Sequence, residues 1–160
     1  SHVELKREVI VVRELIQRPI DLISPQAKQQ SVIIDQQIAA EVPAEVPVDR
    51  VRLEQVLLNM LVNAIEAMPE GGQVTVSAQA DARSVVIEVS DTGRGVPDDL
   101  RDKIFDPYFT TKGDGTGLGL SLCDKIIRQH NGSLDFWSSQ QGTTFQLTLP
   151  RISTKQPTAE

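Results

Sequence analysis

RLEQVLLNMLVNAIEAM, residues 52–68, is the stretch from which the rest of this chain can be read. It holds no Gly or Pro and is built of good helix formers, so it predicts a helix from Arg52 to Met68, N-capped by Asp49. At about 100° per residue, Leu53, Val56, Leu57, Met60, Leu61, Ala64 and Met68 share one side. Leu58, Val62 and Ile65 make much of the flank apolar as well. Arg52, Gln55, Asn59, Asn63 and Glu66 then fall into a stripe roughly 80° wide, with only Glu54 off it, near the solvent-accessible start. A helix apolar on most sides is buried, so the stripe faces internal partners or a polar cavity. The two asparagines suit either case. They bridge to backbone, because buried polar groups need partners, or they offer amide oxygens to a hard cation such as Mg²⁺, which keeps waters and phosphates in its shell.

Working outward, EGG makes a turn and QVTVSAQA alternates as a strand. SVVIEVSDTGRG is strand-like and then breaks, so a hairpin delivers Asp91 to a strand end. Gly93 and Gly95 follow, where backbone can approach a flat ligand closely. A carboxylate there can accept an amino-group hydrogen bond from a base in an otherwise apolar pocket, or can close an Asx turn. A short helix is expected over Pro97 to Ile104, ended by FDPYFTTK. Phe105, Tyr108 and Phe109 are three of the chain's six aromatics and read as packing that anchors the segment behind them. Glycines 113, 115, 117 and 119 then run into an amphipathic helix, Leu120 to His130. Glycines feeding a helix N-terminus supply N–H groups and a positive dipole end, which suits phosphates. No Gly-Lys-Ser/Thr follows, so this is not a P-loop, and Leu120 with no strand immediately ahead excludes the dinucleotide fingerprint. Asn131-Gly132 closes the helix, and SLDFWSSQQGTTFQLTLP reads as two strands around Gly142.

In order and spacing, Asn59 and Asn63, DTGRG, FDPYF and GTGLG resemble the Asn box, first glycine box, aromatic box and second glycine box of sensor histidine kinase catalytic domains. That family shares an ATP-binding fold with gyrase, a heat-shock chaperone and mismatch-repair ATPases. The resemblance runs from about Val9 to Ile152. It implies an α/β two-layer sandwich, with a mixed sheet of about five strands and helices packed on one face. It implies ATP and Mg²⁺ as cofactors, Asn63 as metal ligand, Asp91 on the adenine amino group, and a lid from Thr110 to Leu120 around the phosphates. The implied nucleotide-binding set is Asn59, Asn63, Asp91, Gly93, Gly95, Thr110, Thr111, Lys112, Gly115, Thr116, Gly117, Leu118, Gly119 and Leu120, with Thr143 beside the adenine. Asn59, Asn63 and Lys112 are the catalytic candidates, although Lys112 also reads as a solvated loop residue. Only a handful of residues separate TTK from GTGLG, which resembles the short-lid kinases of the nitrogen-regulation type.

Two departures qualify the resemblance. The family's acceptor His, in a helix followed by an acidic residue and an E-L-R-T-P-like sequence, has no match here. His2 is followed by VELK, and His130, before Asn-Gly, reads as a helix C-terminal cap. The expected activity is therefore γ-phosphoryl donation to a His on acceptor helices outside the chain, which would also supply dimerisation. In the group's hydrolytic members a Glu one turn before the metal Asn serves as base for water. Here that place is Asn59, which cannot usefully take a proton near neutral pH, whereas a neutral imidazole presents its own lone pair. A serine kinase or ATPase of the same group, and a non-catalytic ATP-sensing module, are the competing readings.

Composition sets the outer bounds. The 160 residues suffice for one domain with a core, here residues 9–152, with 1–8 a tag remnant or linker end and 153–160 a frayed tail. A net charge of −6 argues against a nucleic-acid surface. The one cysteine, Cys123, reads as a small core residue and implies no disulfide. No apolar run reaches transmembrane length. The resemblance implies a cytoplasmic domain, monomeric alone and homodimeric at full length, with an inner-membrane anchor permitted outside it and a response regulator downstream. At the start, EVIVVRELI begins strand-like and passes into a helix that Pro19 and Pro25 should kink or delay. SVIIDQQI is a second strand, and EVPAEVPVD a Pro-rich connector.

Overall fold

The computed structural model describes residues 4–39, 44–107 and 119–151. Elements run β1 (Arg7–Val11), α1 (Val12–Gln29), β2 (Val32–Ile38), β3 (Glu45–Asp49), α2 (Arg50–Glu66), β4 (Gly72–Ala80), β5 (Ser84–Asp91), α3 (Gly119–Gln129), β6 (Ser133–Ser139) and β7 (Gly142–Pro150), with one 3₁₀ segment at Asp98–Lys103. Five strands form a mixed sheet in the order β2-β4-β5-β7-β6; β2 and β4 are parallel and the other pairs antiparallel. α2 lies within the crossover that a parallel β2–β4 pair requires.

Alternation decides the layers. Val74, Val76 and Ala78 of β4, Val85, Ile87 and Val89 of β5, and Phe145, Leu147 and Leu149 of β7 are buried on one face. The facing layer is Leu15, Ile16, Ile20 and Ile23 of α1, Leu53, Val56, Leu57, Met60 and Leu61 of α2, and Cys123, Ile126 and Ile127 of α3. The opposite face carries polar pairs, Glu88 with Gln146 at 2.8 Å and Ser90 with Thr144 at 2.7 Å. That is the one-sided burial expected of antiparallel strands, and the expected two-layer sandwich is present.

The N-terminal quarter departs from expectation in two ways. The Pro-rich connector is not all connector: its second half is β3, paired antiparallel with β1, Val9 opposite Pro47. Both strands of a two-stranded sheet are edges, which tolerate a proline, while Val46 and Val48 turn inward and are fully buried. Among the described residues the first strand begins at Arg7. Neither proline delays α1, which starts at Val12 and runs unbroken for 18 residues. Its buried residues, Val12, Leu15, Ile16, Pro19, Ile20, Ile23 and Ala27, recur at helical spacing. Tertiary burial of that stripe outweighs the local proline penalty. The short helix expected over 97–104 is a single 3₁₀ stretch.

Candidate functional site

α2 fixes one wall of the site. Asp49 caps it as expected, its Oδ1 accepting from the Arg52 N–H at 3.3 Å. Within the polar stripe Asn59 and Asn63 are half-buried, while Gln55 and Glu66 are exposed. Asn59 donates its Nδ2 to the Cys123 sulfur of α3 at 3.8 Å, and that thiol is directed at the Val56 carbonyl at 3.9 Å. Burial pushes the Cys123 thiol up to about 11, so Cys123 is an uncharged core residue, as its sequence context suggested. Asn63 lies one turn further along, and its carbonyl accepts from the Ala67 N–H at 3.1 Å.

Ala67 is where α2 meets the end of β5. A Cβ on Gly93 would stand 2.6 Å from the Ala67 oxygen, so only a glycine lets the DTGRG loop lie against the helix end. Asp91, 8 % exposed, ends β5 on the buried side. Its Oδ1 accepts two N–H groups, from Gly93 at 2.9 Å and from Thr143 at 3.2 Å. Burial holds the Asp91 carboxyl above its ordinary range, and these two amides pull it partly back. Oδ2 receives no hydrogen bond from the described residues. One oxygen is thus spent on fixing the carboxylate, and the other is presented as an acceptor.

The third wall is the β6–β7 hairpin. Gly142 has φ +142°, and a Cβ there would overlap the Asp91 carbonyl oxygen, so β7 can start against Asp91 only with glycine at this position. Gly95, at φ +76°, would likewise overlap the Ser139 oxygen. Ser138 ties the loop to the hairpin: its Oγ accepts from the Val96 N–H at 2.7 Å and contacts the Thr143 hydroxyl at 2.8 Å. Arg101 adds a clip, donating to the Ser138 carbonyl at 2.5 Å and the Val96 carbonyl at 3.4 Å while pairing with Asp98 at 2.9 Å. Below them Phe105 meets Phe136 edge-on at 5.5 Å, and Phe136 stacks on Phe145 at 5.7 Å. Phe105 is therefore the anchor its box suggested.

Of the residues singled out from sequence, the structure brings Asp91, Gly93, Gly95 and Thr143 together beside the end of α2, with Asn59 and Asn63 along that helix. Gly119 and Leu120 form the first turn of α3, one residue earlier than expected. A helix start carries N–H groups without intrahelical acceptors. Thr110, Thr111, Lys112, Gly115, Thr116, Gly117 and Leu118, like Tyr108 and Phe109, lie outside the described residues.

Sequence reasoning missed Ser138 and Arg101. A signal for Ser138 was present, since Leu134, Phe136 and Ser138 share the inward face of β6 at period two and a hydroxyl ends an apolar run. His130 does more than cap. Its Nδ1–H donates to the Ile126 carbonyl at 2.8 Å and its Nε2 accepts from the Asp49 N–H at 3.0 Å. The ring must be neutral to do both, and burial, helped by Arg7 and Arg52, lowers its pKa against the opposing pull of the Ile126 carbonyl and Asp49. It joins the end of α3 to the start of α2.

Comparison with known proteins bears on the family and the fold. Residues 48–153 match the family described as histidine kinase-, DNA gyrase B-, and HSP90-like ATPase. The chain is 38% identical over 155 residues to the sensor histidine kinase ZraS of Escherichia coli (strain K12), covering 96% of this chain and 33% of that protein. It thus spans about a third of the length of that relative. The nucleotide-free catalytic domain of histidine kinase ThkA superposes with a TM-score of 0.85 at 32% identity, covering 92% of this chain and 97% of that one. Full-length ShkA in complex with AMPPNP gives 0.86 at 29% identity, covering 96% of this chain and 33% of that one. The chain belongs to the histidine kinase-, DNA gyrase B-, and HSP90-like ATPase family, as an ATP-binding catalytic domain of the sensor histidine kinase kind.

Proposed function

We propose that this domain binds ATP with its base on Asp91 and passes the γ-phosphoryl group to a histidine on acceptor helices outside the chain, as one step of two-component signalling. Asn59 carries the choice of acceptor. A water nucleophile needs a base, and the side chain one turn before Asn63 is an amide whose nitrogen is already committed to Cys123. A neutral imidazole needs none, because its ring nitrogen presents a lone pair to phosphorus.

Asp91 Oδ2 accepts the base's amino group, and Thr143 stands beside it. Gly93 and Gly95 let the loop backbone approach the purine plane. The start of α3, from Gly119 and Leu120, and Lys112, Thr110, Thr111, Gly115, Thr116, Gly117 and Leu118 hold the phosphates in this reading. Asn63, with Asn59 half-buried on the same stripe, offers amide oxygen; that donor set suits Mg²⁺, which takes most of its shell from phosphates and water. Mg²⁺ when bound supplies charge neutralisation, and the protein's own contribution is positioning and oriented N–H groups.

The acceptor helices would come from the same full-length protein, homodimeric through them, and a response regulator would then take the phosphoryl group. The domain faces the cytoplasm in this scheme; among the described residues no helix is long and apolar enough to cross a membrane. Incubation with ATP, Mg²⁺ and a separately supplied acceptor-helix domain tests it. The expected product is an acid-labile, alkali-stable phosphohistidine. An acid-stable phosphoserine, or ATP binding with no transfer at all, would replace this reading with a serine kinase or an ATP-sensing module.

A further inference from the structure

His130 is tied by two hydrogen bonds whose directions are fixed, because both partners are backbone groups. The Ile126 carbonyl at 2.8 Å can only accept, and the Asp49 N–H at 3.0 Å can only donate. The ring therefore carries its hydrogen on Nδ1 and a lone pair on Nε2. Arg7 adds a second tie at the same place, donating to the Gln129 carbonyl at 3.1 Å. The Asp49 carboxylate is engaged from other sides, by the Lys6 N–H at 3.1 Å and the Arg52 N–H at 3.3 Å. The end of α3 is thus held to the start of α2 and to β1.

These ties set a register. α3 and α2 run antiparallel: His130 meets Asp49 at one end, and further back Cys123 meets Val56 and Asn59. A step of four residues, about 6 Å, leads back from Cys123 to Gly119 and on from Asn59 to Asn63. Both steps run in the same direction, so the first turn of α3 and the Asn63 amide come level. His130 sits at the far end of this 11-residue helix, about 16 Å from its start.

We propose that His130 is a positioning residue of the phosphate site: pinned to Asp49, it holds α3 at the level on α2 where the helix start and the Asn63 amide address the same phosphates. This rests on the phosphates lying at the start of α3, as proposed above. A protonated ring carries hydrogen on both nitrogens, sets a donor against the Asp49 N–H and releases the pin. The charged groups facing the ring from the elements around it are Arg7 of β1, Asp49 at the end of β3 and Arg52 of α2. Burial, with the two arginines, keeps the ring neutral against the pull of the Ile126 carbonyl and Asp49. A ligand that engages both helices selects the neutral ring, so by linkage it must lower the ring's pKa. The phosphate charge acting alone, across the length of α3, would raise it.

The chain holds two histidines, so an NMR titration of the imidazoles reads His130 directly, with His2 as reference. The parent chain is followed downward from pH 8 without nucleotide, with adenosine, and with ATP and Mg²⁺. Adenosine should leave the His130 pKa unchanged, and ATP with Mg²⁺ should lower it by about one pH unit, the counterpart of a tenfold coupling. Calorimetry at pH 8 gives the other half. His130→Gln should weaken ATP with Mg²⁺ about tenfold, the worth of one hydrogen bond, and leave adenosine within about twofold of parental affinity. Ile20→Val, a core change in α1, should leave both affinities parental and so exclude general loosening as the cause. An unchanged or raised His130 pKa with ATP and Mg²⁺, or equal weakening of ATP and adenosine by His130→Gln, would overturn the proposal. Should His130→Gln fail to fold, the titration of the parent decides alone. A parent that binds ATP with Mg²⁺ no better than adenosine would overturn the placement of the phosphates on α3, and the pin with it. A parent that binds neither would overturn the function proposed above.

Discussion

Replacing Asp91 with Asn separates binding from stability at a single atom. The amide oxygen of Asn can take over Oδ1 and keep both N–H groups, from Gly93 at 2.9 Å and Thr143 at 3.2 Å. That leaves an NH₂ where Oδ2 was, a donor facing the donor of the base. A hydrogen bond to a charged group contributes about 1.5–3 kcal/mol, and an opposed pair of donors loses all of it. The expected loss is about 2–3 kcal/mol, roughly 30- to 150-fold in Kd for ATP. Stability should move the other way. Burial holds Asp91 above its ordinary carboxylate range, so near neutral pH its charge costs the folded state, and the neutral amide removes that cost. Calorimetric titration and thermal melting of the same samples check both halves: ATP affinity falls while the nucleotide-free melting temperature holds or rises. Parental affinity in Asp91→Asn, or an unchanged preference for ATP over the analogue lacking the amino group, would refute the placement of the base.

Three further outcomes follow from other parts of the fold. Asn63→Ala should abolish Mg²⁺-dependent strengthening of ATP binding and slow transfer at least about tenfold, while adenosine affinity stays parental; parallel titrations with ATP and adenosine show which part is lost. Gly142→Ala should cost about 2–3 kcal/mol in urea unfolding at unchanged m, because its φ of +142° and the Asp91 carbonyl both exclude a Cβ. His130 should make stability fall in mild acid. With the folded pKa below the ordinary 6.5, the unfolded chain takes up the proton first, so unfolding free energy declines as pH drops below about 6.5 until the folded-state pKa is reached. His130→Gln should flatten that slope and cost about 1–3 kcal/mol at pH 8, where the Asp49 N–H loses its acceptor; urea midpoints from pH 5 to 8 give both numbers.

What could be read from the sequence was local. The polar stripe of α2, the Asp49 cap, the β4–β5 and β6–β7 alternation and the glycine at 142 each declare themselves within a few residues, since period and backbone permissiveness act over that range. β3 was hidden because its proline argues against a strand until the pairing with β1 shows that it lies on an edge. The unbroken α1 depends on a buried stripe that holds Pro19 in place. Ser138 meets Val96 across 42 positions and His130 meets Asp49 across 81. No spacing rule encodes such partners: the β6–β7 hairpin brings Ser138 to the loop after β5, and the packing of α3 against α2 brings His130 to Asp49.

The fate of the γ-phosphoryl group is the most direct test of Asn59's meaning. In a single turnover with γ-labelled ATP limiting, Mg²⁺ present and the domain in excess, label is partitioned between inorganic phosphate and an added acceptor-helix domain. Label should accumulate on the acceptor histidine, and without the acceptor the ATP should stay intact over the same interval. Release of phosphate at one rate whether or not the acceptor is present would mean that water is the nucleophile and that some group other than Asn59 activates it.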